Sequence, residues 1–171
     1  MKLIIINGPC GIGKSTLAGS MHATMPLSFL FDIDAQMRFI SHYREYREER
    51  REITLALADA VIDALLRLGR DIVVDKMIFD PSIIDSYYGI AKKYGADVHE
   101  IILWAPKEVV MKRADERGWR KDGLLTPEKC EMFWHKIDEL KNQRPNAIVL
   151  DAEHQSPEEM LAQVQKLMRA T

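Results

Sequence analysis

Cysteine is almost absent from this chain: two residues of 171, Cys10 and Cys130, lie far apart. They belong to no metal-spaced cluster and build no disulfide framework, so both are expected as free thiols in a reducing cytoplasm. An excess of one charge is also missing. With 24 Lys and Arg against 26 Asp and Glu, the formal net charge is −2, which offers no electrostatic footprint for nucleic acid or an anionic membrane. No apolar run approaches the ~20 residues of a bilayer span. The leading run, Leu3 to Ile6, is interrupted by Gly8, Pro9 and Lys14 and lacks a small-residue cleavage pattern, so neither a membrane segment nor a signal peptide is expected. Repeats, low-complexity tracts and linkers are lacking too. At 47% hydrophobic, residues 1–171 read as a single domain with one well-buried core. His42, His99, His135 and His154 are scattered and make no ligand pattern.

What is present is Asn7-Gly8-Pro9-Cys10-Gly11-Ile12-Gly13-Lys14-Ser15-Thr16, after an apolar strand-like run and before a helix-compatible segment. Gly8, Gly13, Lys14 and Ser15 fill the G-x-x-x-x-G-K-[ST] pattern of a phosphate-binding loop. Its glycines let successive N–H groups turn inward toward an anion, and the following helix adds unpaired N–H groups and a positive dipole end. Lys14 is placed to reach the β- and γ-phosphates, and Ser15 to hold Mg²⁺. The ten-residue stretch therefore points to a nucleoside triphosphate. Cys10 sits inside it, where backbone N–H groups favour thiolate, although a small residue that fits the loop is the preferred reading.

Along the chain, apolar runs at Leu3–Ile6, Leu27–Ile33, Ile72–Asp75, Val98–Trp104 and Ala147–Leu150 read as five strands. Helices are expected from Lys14 to Met25 and from Ile53 to Leu68, the latter apolar nearly all round and therefore well buried. The charge-balanced run Arg44 to Glu52 leads into that second helix and reads as a solvated face. Further helices start at Asp80-Pro81, Pro106, Thr126-Pro127 and Ser156-Pro157-Glu158-Glu159, each with capping or first-turn chemistry. Strands alternating with helices give an α/β fold with a parallel sheet covered on both faces. Ligands in such sheets bind outside the carboxyl ends of the strands.

Phosphoryl transfer asks for held phosphates, neutralised charge and a positioned acceptor, often with a carboxylate to take its proton. Asp34, expected to end the second strand, is the candidate base, and Arg38, about one turn on, a candidate substrate contact. Either Asp32 or Asp34 could instead simply cap the next helix, and for Asp32 that is the first reading. Asp75, after three β-branched residues, is the candidate Mg²⁺ carboxylate beside Ser15, with a turn role or a pairing with Lys76 as the alternatives. Arg113, Arg117 and Arg120 fall on one helical face, beside the polar stretch Trp119 to Gly123. Residues 113–125 thus read as a short cationic lid, unless Asp115 and Glu116 neutralise those arginines.

On these residues the chain resembles the small P-loop kinases, the group of adenylate, shikimate and gluconate kinases, chloramphenicol phosphotransferase and kinase-like members of the AAA_33 type. The resemblance implies a three-layer fold with strand order 2-3-1-4-5, ATP as donor and Mg²⁺ as cofactor. It implies a phosphate site built from Gly11, Gly13, Lys14, Ser15 and Thr16, with Pro9, Cys10 and Ile12 in the same loop. Arg113 and Arg117 match the R-x-x-x-R of the family lid, the first flanking adenine and the second meeting the phosphates as a catalytic group alongside Lys14. Asp34 matches the acid that contacts an acceptor hydroxyl, and Ala152 to Gln155 match the loop that closes on adenine. The glycine run that shikimate kinases carry after strand three is missing, Asp75-Lys76-Met77 standing there instead. No N-K-x-D motif or convincing D-x-x-G switch is present, which argues against a GTP-operated switch. The expected activity is phosphate transfer from ATP to a hydroxyl of a small molecule. A nucleotide or nucleoside acceptor and a nucleotide-binding regulatory module are the alternatives, and the oligomeric state is left open.

Overall fold

A computed structural model of the chain describes residues 1–119 and 125–169. Strand β1 (Lys2–Asn7) is central, pairing in parallel with β3 (Ile72–Asp75) on one side and β4 (Asp97–Trp104) on the other. β2 (Phe29–Asp32) pairs with β3 and β5 (Ile148–Asp151) with β4, so the order is β2-β3-β1-β4-β5, as the resemblance implies. Leu3 to Ile6 are fully buried because helices cover both faces. Ile4 and Ile6 pack with α1 (Lys14–Ala23), α5 (Lys107–Arg117) and α7 (Pro157–Arg169). Leu3 and Ile5 pack with α3 (Arg47–Arg67) and α4 (Pro81–Lys93). α6 (Pro127–Gln143) straddles the two, Cys130 lying with the first core and Ile137 and Leu140 with the second. No described helix is long and apolar enough to cross a membrane.

Local capping chemistry sets most helix starts. Asp80 takes the Ser82 N–H at 3.0 Å with Pro81 in the first turn of α4, and Thr126 takes the Lys129 N–H at 3.3 Å ahead of Pro127. Ser156 and Glu159 bond each other's backbone N–H groups at 3.2 and 2.8 Å, a reciprocal capping box.

Three expectations need correction. The second strand is four residues, not seven. As an edge strand it has a ladder on one side only, Leu27 before it takes a left-handed φ of 60°, and its last residue Asp32 accepts the Ala35 N–H at 2.9 Å. That cap turns the backbone helical at Ile33 and opens α2 (Ile33–Gln36), so Asp34 sits in the first helical turn and not at the strand end. α1 stops at Ala23, short of Met25. α3 is buried along one stripe only, Thr54, Ala58, Ile62 and Leu66, while Ile53 and Leu57 are exposed.

One buried polar group ties the core to the ligand edge. Asn7, at the end of β1, is fully buried. Its Oδ1 accepts the Gly8 N–H at 2.8 Å and the Ile78 N–H at 3.0 Å, and its Nδ2 donates to the Ile78 carbonyl at 2.8 Å. Replacing it with a similar apolar shape strands three buried backbone groups. Asn7→Leu is expected to lower stability by roughly 2–4 kcal/mol, seen as an earlier urea midpoint; a loss under about 0.5 kcal/mol would show that these bonds do not hold the loops.

Candidate functional site

The site begins where β1 runs out. Gly8 has φ 144°, and a Cβ there would lie 2.6 Å from the Leu103 carbonyl oxygen of β4, so only glycine lets the loop turn so close to the sheet. Gly13, φ 107°, sits at the N-cap of α1 and offers no side-chain cap, and no acid occupies the first turn. The N-terminal N–H groups of α1 are thus spent on neither a cap nor a carboxylate, which suits an anion. This is the arrangement the Gly8–Thr16 spacing predicts.

Lys14 is half-buried and donates from Nζ to the Pro9 carbonyl at 2.8 Å, curling across its own loop. Burial lowers its pKa below the ordinary lysine value, while Asp75, Cys10 and Asp34 oppose the shift and Arg117 adds to it. These charges act on Lys14 from within its own loop (Cys10) and from α2, β3 and α5, so four parts of the chain bear on one amine. Asp75, at the end of β3, is 8% exposed. Burial raises its carboxyl pKa, a hydrogen bond with Ser15 and the charge of Lys14 pull it down, and Asp32 and Asp34 push it up further. A hydroxyl and a buried carboxylate in contact at the foot of an anion cradle are hard oxygen donors, and they fit Mg²⁺. The residues present are thus compatible with a triphosphate and its metal.

On the far side of the loop, Asp34 forms an ion pair with Lys76. Lys76 was the alternative partner of Asp75; it turns instead to the acid on α2. Asp32 is occupied as the cap of α2, as its first reading had it. Arg38 is exposed on the 3-10 turn Met37–Phe39, and no contact joins it to Asp34 among the described residues. On the lid side, Arg113 donates to the Ala152 carbonyl at 2.8 Å, binding α5 to the loop after β5. The acids that could have neutralised the lid arginines have other partners. Asp115 accepts the Trp119 indole N–H at 2.8 Å, and Glu116 lies 4.0 Å from Lys112. Arg117 is exposed and close enough to Lys14 to repel it. Arg120 and the polar stretch to Gly123 lie outside the described residues.

Sequence reasoning left three functional neighbours unassigned. Asn7 had no side-chain signal beyond its place at the strand end. Lys76 had only its adjacency to Asp75. Cys130 was separated from Cys10 by most of the chain, yet their Sγ atoms lie 2.7 Å apart. Burial, reinforced by Cys10, pushes the Cys130 thiol up to about 12.

The family model AAA_33, described as "AAA domain", matches residues 3–136. A cytidylate kinase of Ignicoccus hospitalis is 30% identical over 138 residues, covering 77% of this chain and 71% of the relative. Among solved structures, the Deinococcus radiodurans tunicamycin resistance protein superposes with a TM-score of 0.69 at 21% identity over 98% of this chain and 95% of its own. A gluconokinase of Sinorhizobium meliloti gives 0.67 at 17% identity over 94% and 87%. These likenesses and the five-stranded order match the P-loop kinase fold and support phosphotransfer as the general chemistry. With the family match covering most of the residues that build the sheet and the phosphate loop, the chain belongs to the AAA_33 family of P-loop proteins.

Proposed function

We propose that the chain is an ATP-dependent phosphotransferase that moves the γ-phosphate to a hydroxyl of a small molecule. The observation that carries this reading is the glycine-turned loop at the uncapped N-terminus of α1, which holds Lys14 and meets Asp75 through Ser15. The loop N–H groups and Lys14 bind and orient the phosphates, Ser15 and Asp75 hold Mg²⁺, and Arg117 supplies a second positive charge from the lid side. Held by the Ser15 hydroxyl and the Asp75 carboxylate, Mg²⁺ would supply neutralisation of the phosphate charge. Arg113 braces α5 against the loop after β5, on the side where the resemblance places adenine. Asp34 takes the proton from the acceptor hydroxyl. Lys76 positions that carboxylate beside the phosphate loop, and an acceptor entering between them exchanges one partner of Asp34 for another. Arg38 is assigned to the outer wall of the acceptor space. The 30% identity to a cytidylate kinase favours a second reading, in which the acceptor oxygen belongs to a nucleotide.

Asp34→Asn is expected to lower kcat by about 10²–10⁴-fold, the usual worth of a general base, with ATP binding by calorimetry unchanged. Retained turnover on the true acceptor would overturn the assignment. Screening nucleoside monophosphates against sugars and other alcohols for ADP release separates the two acceptor classes.

Asp75 yields a prediction of opposite sign in stability and activity. Burial holds its pKa above 3.8, so the ionised carboxylate costs the ligand-free fold stability once pH exceeds the raised folded value. That cost disappears as pH falls below 3.8, where the group is protonated folded or unfolded. Asp75→Asn is therefore expected to raise the ligand-free Tm at pH 7–8, the gap closing toward acid pH, while abolishing the response of turnover to Mg²⁺. A lower Tm at neutral pH together with intact Mg²⁺ dependence would refute the role.

A further inference from the structure

The two cysteines are the feature that the phosphate chemistry leaves unused. Cys10 lies between Pro9, whose carbonyl receives Lys14, and Gly11, where an added Cβ would come within 3.9 Å of the Ala114 backbone of α5. Cys130 is fully buried in the first turn of α6, its N–H bonded to the Thr126 carbonyl at 2.9 Å. The phosphate loop therefore meets α6 through Cys10. With Sγ atoms 2.7 Å apart, the pair is about 0.7 Å from the length of an S–S bond. No disulfide joins them: the two thiols are free and hydrogen-bonded to each other.

We propose that Cys10 and Cys130 form a reversible disulfide that pins the phosphate loop to α6 and switches the nucleotide site off under oxidising conditions. The reaction starts at Cys10, which is half-buried and reachable from solvent, and not at Cys130, which is sealed in the core. The Cys10 thiolate attacks a hydroperoxide: an S–O bond forms, the O–O bond breaks, and the departing oxide leaves as water or alcohol after taking a proton. The Cys130 sulfur then attacks the Cys10 sulfenic acid. An S–S bond forms, the S–O bond breaks, and the hydroxide leaves as water with the Cys130 proton. Two electrons pass from the thiols to the peroxide, and a dithiol reductant returns them by exchange. The crosslink ties the loop to the first turn of α6 in the arrangement in which Lys14 is bonded to Pro9. That bond must give way if Lys14 is to reach phosphates. The switching part of the proposal rests on the nucleotide reading of the site; the disulfide itself does not.

The test oxidises the full chain with equimolar hydrogen peroxide. It reads intact mass, peptide mapping and free-thiol titration, and separately MgATP affinity by calorimetry. The expected result is a monomer lighter by two hydrogens, with a Cys10–Cys130 linked peptide and both thiols lost. MgATP affinity should fall by roughly tenfold or more and recover with dithiothreitol. Cys130→Ala, and Cys130→Ser should the alanine variant pack poorly, should bind MgATP like the reduced wild type and gain oxygen on Cys10 in place of losing hydrogens. An oxygen adduct on wild-type Cys10 with Cys130 still free, or linkage between two chains, overturns the disulfide. A formed intrachain disulfide with unchanged MgATP affinity overturns the switch. Were the reduced chain not to bind MgATP at all, the nucleotide reading would fail while the mass readout still judged the disulfide.

Discussion

The structure turns on a single buried carboxamide. β1 is hydrogen-bonded on both edges and covered on both faces, which leaves its last residue no solvent to satisfy a polar side chain. Asn7 meets that constraint by bonding Gly8 on one side and both backbone groups of Ile78 on the other. The phosphate loop and the loop after β3 are thereby fixed to the same atom group. The second loop carries Lys76, and β3 itself delivers Asp75. The spacing between the Gly8–Thr16 loop and the segment that carries Lys76 is thus set by hydrogen bonds in the core.

Electrostatics then shape what this scaffold can hold. Burial disfavours charge on both Lys14 and Asp75, and each offsets part of the other's cost. Neither fully satisfies the other, because Asp32 and Asp34 crowd Asp75 with like charge and Arg117 crowds Lys14. A dianionic phosphate and a divalent cation relieve both kinds of crowding at once. The ligand-free geometry fits this picture, with Lys14 parked on the Pro9 carbonyl and Asp75 on Ser15.

Much of this was readable in advance, and the failures have identifiable causes. The strand-ending Asp75, the phosphate loop and the caps Asp80, Thr126 and Ser156 follow from local chemistry, which a sequence displays directly. Asp34 was expected at a strand end and lies instead in a first helical turn, because Asp32 can both end a strand and start a helix, and only its bond to Ala35 decides between them. α3 was expected to be buried all round because composition records apolar residues without recording what covers them; Ile53 and Leu57 face no helix or strand that seals them off. The Asp34–Lys76 pair and the Cys10–Cys130 contact join segments that meet only after the sheet is wound. No periodicity or spacing rule reaches that far. Asn7 was invisible for a different reason: its importance lies in bonds to backbone, which leave no complementary residue in the sequence.

If the loop from Gly8 to Thr16 cradles a triphosphate, Lys14 supplies the decisive charge. Calorimetric titration of MgATP into the reduced wild-type chain and into Lys14→Ala, with circular dichroism to confirm that both are folded, decides the matter. Saturable 1:1 binding to the wild type is expected, with an affinity at least roughly tenfold weaker in the variant, since a charge-assisted contact to phosphate is lost. Equal affinities in two folded proteins, or no binding to the wild type, would refute the triphosphate role of the loop.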